Sequence, residues 1–179
     1  MGPIASVLFE RPLSSEELVR LEADVGDISS AVRGRDFWVT DTRPIGGSFL
    51  AGDGGQPFTW THGFEPYLLP TELAEQLAEV ERGFGFRPSD ELTFSAACNA
   101  EQDHRILAEL CCAVAERWDG VVDLGGDPGA RRHAESLLQG PGVFASESRS
   151  SSGDSCRHVY LSPGALRQWL LHPSFRMVK

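Results

Sequence analysis

The amino-acid sequence predicts an α+β domain in which an antiparallel sheet carries its helices on one face. Apolar residues recur at every second position in some segments and at every third or fourth position in others, and the two kinds of segment alternate along the chain. The chain of 179 residues is 41% apolar and 23% charged, which is the composition of a globular protein. We therefore expect a single domain over residues 1–179, with any internal boundary near residues 98–100.

The first half of the chain predicts a ferredoxin-like order, βαββαβ. Four segments alternate in the manner of strands, namely 4–9, 36–40, 58–62 and 92–96. Ser14 and Glu17 have the spacing of a capping box. The apolar stripe that follows extends to Val32, so we expect one helix that ends at Gly34. In the split βαβ arrangement both helices of the motif pack on the same face of the sheet.

Further β and α elements extend this predicted core. A second helix after Pro70 places its glutamates, Glu79 among them, on the exposed side. A third helix is expected to be capped by Asn99, and a last helix by Ser162. Shorter strands are expected at residues 121–124, 143–145, 158–161 and 175–178. The rest of residues 125–157 is rich in glycine, proline and serine and is expected to form loops.

The chain is acidic, with 26 Asp and Glu against 16 Lys and Arg and a net charge of −10. A negative surface disfavours binding to nucleic acid, whose phosphates require a basic footprint, and to anionic membranes. It speeds the encounter with a basic protein. The N-terminus lacks the basic and apolar regions of a signal peptide, and no segment approaches the ~18 apolar residues of a membrane span. We therefore expect a cytoplasmic protein.

The four cysteines predict free thiols and no metal site. Cys111 and Cys112 are adjacent, and Cys98 and Cys156 complete the set. They lie in apolar or turn-like segments, which is typical of buried thiols in a reducing cytosol. A zinc site formed from them with His104 would lack the ligand pairs, two to four residues apart, that zinc sites have. We expect neither a metal nor another cofactor.

The densest polar cluster of the sequence surrounds Asp103 and His104. His104 borders the apolar stripe of the third helix, and it is either a general base oriented by Asp103 or Asp123, or a histidine hydrogen-bonded within the fold. Asp123 follows a buried strand and precedes two glycines, where an acid is either catalytic or bonded to the turn. The glycine-rich loop 46–55 lacks the lysine and serine of a P-loop. We expect it to be a mobile connection that brings Asp53 to a partner.

Two stretches of the sequence resemble an uncharacterised family of small proteins from high-GC bacteria. They are residues 98–126, in which a Leu/Ala-rich helix leads to Gly-Val-Val-Asp-Leu-Gly-Gly, and residues 169–179. The Phe-Trp-Val of residues 37–39 is similar to the early strand of that family. The family implies no activity and no catalytic residue. Small acidic α+β proteins of this kind resemble the immunity proteins of polymorphic toxin systems.

These observations lead to three functional hypotheses. The first is a non-enzymatic domain that binds a basic protein partner, as an immunity protein binds a toxin. Its expected contact residues are Asp103, His104, Asp123 and Asp53. The alternative is a small hydrolase- or transferase-like enzyme that uses His104 with Asp103 or Asp123. A small-ligand binding module would instead need an apolar pocket of at least ~300 Å³. The sequence supports no expectation about the oligomeric state.

Overall fold

The computed structural model describes residues 2–49, 57–64, 70–126, 135–149, 155–173 and 175–177. These residues form eight strands, four longer helices, one single-turn α-helix and one turn of 3-10 helix over Arg43–Ile45. The strands are β1 (Ile4–Phe9), β2 (Ser29–Arg33), β3 (Asp36–Val39), β4 (Phe58–His62), β5 (Asp90–Ala96), β6 (Val121–Asp123), β7 (Val143–Arg149) and β8 (Ser155–Leu161). The helices are α1 (Ser15–Ile28), α2 (Pro70–Phe84), α3 (Glu101–Arg117), the single-turn α4 (Glu135–Leu138) and α5 (Pro163–Leu170).

All eight of these strands join one open sheet. Their order is β2-β3-β4-β5-β1-β6-β8-β7, and every neighbouring pair is antiparallel. β1 is an inner strand, and its Val7 pairs with Leu92 of β5 on one side and with Val122 of β6 on the other. The predicted α+β class and the antiparallel sheet are therefore confirmed.

Helices cover both faces of the sheet. Successive residues of a strand point to opposite faces. Val7 of β1 belongs to a large core that α1, α3 and α5 complete, whereas Leu8 packs with Val80 of α2 and Tyr160 of β8 in a smaller core. We call these the three-helix face and the α2 face. The prediction that the helices share one face holds for α1, α3 and α5 but not for α2.

The ferredoxin-like arrangement is not confirmed. In that arrangement the first strand of the motif lies directly beside the third, which here would pair β1 with β4. The structure instead places β5 between them: Leu92 of β5 pairs with His62 of β4 and with Val7 of β1. Alternation of apolar residues identifies a segment as a strand but does not choose its neighbour, because packing between distant residues makes that choice.

The first helix ends earlier than predicted. α1 stops at Ile28, and β2 then pairs with β3 through a turn at Gly34. Gly34 has a φ of 63°, a left-handed conformation that glycine adopts without strain. Val32 fits the spacing of the helical stripe, yet it is 48% exposed and pairs with Phe37 across the hairpin. The glycine expected to end a helix therefore turns a hairpin.

Later elements differ from the prediction at their ends. β7 and β8 are longer than the segments expected at 143–145 and 158–161, and β7 is an edge strand. Ala100 takes the N-cap position of α3, one residue after the predicted Asn99. No strand forms at residues 175–177, the described part of the last predicted strand.

The capping box of α1 is confirmed, and it predicts a measurable contribution to stability. The Glu17 N–H donates to Ser14 Oγ at 3.2 Å, and the Ser14 N–H donates to Glu17 Oε2 at 2.8 Å. We expect Ser14→Ala to lower the free energy of unfolding by about 1 kcal/mol, because an N–H at the helix start loses its acceptor. Urea denaturation followed by circular dichroism measures this change. Ser15→Ala is the matched control, and equal losses in the two variants would contradict the assignment.

Candidate functional site

Asp103 and His104 lie in the first turn of α3, where both are buried. Asp103 accepts a hydrogen bond of 2.7 Å from the Ala100 N–H and so satisfies one of the free N–H groups at the helix start. His104 Nδ1 accepts one of 3.1 Å from the Met177 N–H. His104 Nε2 then carries the proton and donates to Asn99 Oδ1 at 2.9 Å. Both ring nitrogens thus serve the fold, and one of them holds the C-terminal segment against α3.

The structure does not bring His104 and Asp123 together. α3 packs on the three-helix face, whereas Asp123 of β6 bonds to α2 on the opposite face. Gln76 Nε2 donates to Asp123 Oδ2 at 2.8 Å, and the Gly125 N–H donates to Asp123 Oδ1 at 2.8 Å. Asp123 therefore has the turn-bonding role, one of the two that its position in the sequence left open. Asp53 lies outside the described residues.

The expected contact residues Asp103, His104 and Asp123 are buried, so little of their surface is accessible to a partner. The exposed fractions are 3% for Asp103, 2% for His104 and 4% for Asp123. A partner would reach these side chains only if neighbouring segments moved. Exposed residues elsewhere on the molecule are better placed to make contact, while the role of the three as contact residues stays a prediction.

A cluster of buried polar groups attaches α2 to the sheet. Besides the bond between Gln76 and Asp123, the Tyr160 hydroxyl donates to Glu79 Oε2 at 3.0 Å. Burial is the largest cause that raises the pKa of Asp123, and the charge of Glu79 adds to it; hydrogen bonds to Asp123 and the charge of His158 oppose the rise. Burial, followed by the charges of Asp123 and Glu79, also raises the pKa of Tyr160. These hydrogen bonds, in addition to the apolar contacts of α2, attach the helix to the sheet.

This cluster has the geometry of a structural network. Glu79 and Asp123 each accept a hydrogen bond from a side chain of the neighbouring element. Within the described ranges, no group of three or more His, Cys, Asp or Glu side chains is placed to hold a metal ion. Ser146 and His158 face each other across β7 and β8, and each has a buried polar atom without a hydrogen-bond partner. Because Ser146 Oγ is enclosed, it is not open to a substrate.

Sequence reasoning missed the partners of Asp123 in this cluster. Glu79 was expected on the exposed side of its helix, yet it is only 6% exposed. One signal was present: in β8, His158 and Tyr160 alternate with Val159 and Leu161, so polar side chains line one face of this strand. The alternation does not reveal that α2 covers that face.

Another buried carboxylate, that of Glu109 in α3, holds the segment that follows β3. It accepts hydrogen bonds from the Thr42 hydroxyl, from the Ser48 hydroxyl at 2.7 Å and from the Phe49 N–H at 3.2 Å. Burial acts to raise the pKa of Glu109, but these hydrogen bonds outweigh it and lower the pKa. A Cβ at Gly47 would lie 2.6 Å from Glu109 Oε2, so glycine permits this close approach. The start of the glycine-rich loop is fixed to α3, and the rest of the loop lies outside the described residues.

An open groove lies between α1 and the end of α3, with a volume of about 830 Å³. Its apolar lining consists of Val19 and Ala23 on α1 and Trp118 after α3. Val19 is 64% exposed, although it lies in the middle of its helix. Trp118 packs edge-on against Phe9 of the core, with the ring centres 6.5 Å apart. We call this feature the α1 groove.

Ion pairs hold the rim of the α1 groove. Arg11 and Glu17 approach to 2.5 Å, and this hydrogen bond is the main cause that lowers the pKa of Glu17 to about 2. Arg117 pairs with Asp24. The Arg117 guanidinium also lies 5.8 Å from the ring centre of Trp118, within the range of a cation–π contact.

A smaller cavity lies beside α5. It measures about 130 Å³ and is lined in part by Leu137, Pro141 and Trp169. Small-ligand sites usually have at least ~300 Å³, so this cavity gives little support to a small-ligand binding module.

The described cysteines are free thiols. Cys111 and Cys112 are buried, as predicted, but Cys98 is exposed. Burial is the main cause that raises the pKa of Cys112 to about 12, so this thiol is a weak nucleophile at neutral pH. The side chain of Cys156 lies outside the described residues. Among the described helices, none has the length and apolar character needed to cross a membrane.

Comparison with known proteins gives a family but no activity. The model of a family of unknown function (DUF6368) matches residues 1–179. No curated protein matches the chain, and no solved structure matches it. The family match covers every element described above. Because the function of the family is unknown, functional inference rests on the geometry of this chain.

The raised pKa of Asp123 predicts how stability depends on pH. A carboxyl group with a higher pKa in the folded chain contributes stability that is fully present below its ordinary pKa of 3.8 and is lost as the pH rises through the folded value. Asp123→Asn carries no charge, and it keeps only one of the two oxygens that accept hydrogen bonds from Gln76 and from the Gly125 N–H. We therefore expect this variant to lose less stability than the unmodified chain as the pH rises.

Urea denaturation at several pH values between about 4 and 7 measures this pH dependence of the free energy of unfolding. Glu22→Gln, which removes an exposed charge from α1, is the matched control and should leave the pH dependence nearly unchanged. A less stable Asp123→Asn protein whose pH dependence equals that of the unmodified chain would show that the buried charge is stabilising.

Proposed function

Because the chain belongs to the DUF6368 family, whose function is unknown, we propose from its surface that it is a protein-binding domain that takes a basic partner on the outer face of α1. The observation that carries this proposal is the charge of that helix, which contains five carboxylates and one arginine. Two of the carboxylates, Glu17 and Asp24, are paired with arginines. Glu16, Glu22 and Asp27 are exposed.

The net charge of the whole chain supports the same partner chemistry. A charge of −10 attracts basic proteins at long range and raises their rate of association. It repels nucleic acids and anionic membranes. The buried acids of α3 and β6 bond within the fold, so a partner would meet exposed acids such as those of α1.

The finer form of the proposal is an immunity protein of the bacterial cytoplasm that neutralises a basic toxin, for example a nuclease. Nucleases bind the phosphate backbone through basic side chains, and an acidic helix can occupy the same surface. The support for this form is the charge of α1, together with the general likeness between small acidic α+β proteins and immunity proteins. The enzymatic alternative has weaker support, because His104 bonds to Asn99 and Met177 and lies on a different face of the sheet from Asp123.

A pair of charge-reversal variants tests the role of α1. We expect Glu22→Lys with Asp27→Lys to weaken binding of the partner about tenfold at low salt, mainly through slower association, and to reduce the dependence of the affinity on salt. Glu75→Lys with Glu81→Lys changes the net charge equally but lies on α2, on the opposite face. Biosensor measurements at several salt concentrations give the rates. Equal weakening by the two double variants would show that the site is not on α1.

Co-expression tests the finer form. The chain should protect bacterial cells from a toxin encoded beside its gene, and the purified pair should form a complex. The variant with Glu22→Lys and Asp27→Lys should protect less well than the control on α2. If the chain neither binds nor protects against any product of the neighbouring genes, the immunity proposal is wrong.

A further inference from the structure

The C-terminal segment, by which we mean residues 175–177, is attached to α3 and α5 by two hydrogen bonds that involve side chains. The Met177 N–H donates to His104 Nδ1 at 3.1 Å, and Trp169 Nε1 donates to the carbonyl oxygen of Arg176 at 3.1 Å. The Met177 side chain is 3% exposed and belongs to the large core. The segment therefore closes the core on the side where α3 and α5 pack together.

The bond between Met177 and His104 requires a neutral histidine ring. A backbone N–H is always a donor, so Nδ1 is the ring nitrogen without a proton, and Nε2 carries the proton that it shares with Asn99 Oδ1 at 2.9 Å. A second proton on the ring would lie on Nδ1 and point at the Met177 N–H. Two donors would then face each other at a residue that is 2% exposed, and leaving both without an acceptor is costly.

The strands beneath α3 bring no charge to the His104 ring. Asp90 shares the three-helix face, but it lies about 20 Å along β5 from Ala96, the end that leads to α3. Arg167 of α5 pairs with Glu116 near the other end of α3. The other residues of β1, β5 and β6 on this face are apolar, namely Ala5, Val7, Phe9, Leu92, Phe94, Ala96 and Val122.

The remaining charged or titratable residues of the described elements around His104 do not replace its bond to Met177. They are Glu101, Asp103 and Arg105 on α3, Cys98 before it, His172 after α5, and Arg176 in the segment itself. Asp103 and Arg105 are hydrogen-bonded within α3 and the turn before it, and His172 stacks on the ring of Trp169. A negative charge on Asp103 favours a protonated ring, but it gives the Met177 N–H no acceptor.

From this geometry we infer that His104 is a proton-sensitive latch for the C-terminal segment. At neutral pH the ring holds Met177, and its protonation in mildly acidic solution releases residues 175–177 from α3. Release uncovers Met177 and the side of Trp169 that Phe175 covers. This inference does not depend on the proposed function.

The pH range of the latch follows from linkage. A histidine in water takes up a proton near pH 6.5, and the ring that holds Met177 excludes that proton. The latch therefore contributes fully well above this pH and is lost as the pH falls below it. With a released ring that titrates as histidine does in water, the equilibrium between the attached and the released segment shifts about tenfold towards release between about pH 7.5 and 5.5.

Hydrogen exchange followed by NMR tests the latch on the full chain. After correction for the intrinsic pH dependence of exchange, we expect the protection of the Met177 amide to fall about tenfold between about pH 7.5 and 5.5. The indole N–H of Trp169 should lose protection with it, because both bonds hold the same segment. The Val7 amide of β1 should keep its protection, which separates release of the segment from unfolding of the sheet.

A pair of histidine variants assigns the effect. His104→Gln has an amide that can accept from Met177 and donate to Asn99 but takes up no proton, so its Met177 protection should change less than about twofold over the same range. His172→Gln is the matched control. It removes the histidine that stacks on Trp169, with the ring centres 5.0 Å apart, and it should keep the tenfold fall.

Three results would overturn the latch. In the first, Met177 of the unmodified chain stays protected at low pH or loses protection only together with Val7. In the second, the fall persists in His104→Gln. The third is measured on the unmodified chain alone and so remains decisive if His104→Gln does not fold: the ¹⁵N shifts of the His104 ring show that Nδ1 gains a proton while Met177 remains protected.

Discussion

The inner strand β1 is buried on both faces, and the architecture depends on this constraint. Val7, Leu8 and Phe9 are each at most 1% exposed, and β1 has a hydrogen-bonded strand on each side. A strand that is apolar on both faces requires cover on both faces, because each exposed side would leave apolar surface in water. α1, α3 and α5 cover one face, so α2 must cover the other. The two-layer fold expected from the sequence becomes three layers for this reason.

Burial of polar groups follows from the same packing. α2 lies over strands that carry Asp123 and Tyr160, and those groups would be costly to bury without partners. Gln76 and Glu79 on α2 provide the partners. Glu109 does the same on the other face by accepting hydrogen bonds from the segment after β3. The acids that suggested chemistry in the sequence thus serve the fold, and this directs attention to the surface.

The surface of α1 is acidic, which favours encounter with a basic protein. The helix also borders the α1 groove, whose rim is ordered by two ion pairs. The charge of α1 is the basis of the proposal that a basic partner binds there.

The sequence by itself determined the local elements of this protein. The capping box at Ser14, the alternation of β1, β4 and β5, and the start of α5 at Ser162 depend on residues a few positions apart, so their patterns are readable along the chain. The tertiary structure alone decided that β5 lies between β4 and β1, that Val32 belongs to a hairpin, and that Glu79 is buried. These outcomes depend on contacts between residues far apart in sequence. A pattern of neighbouring residues specifies what an element is, whereas the packing of the whole chain decides what that element touches.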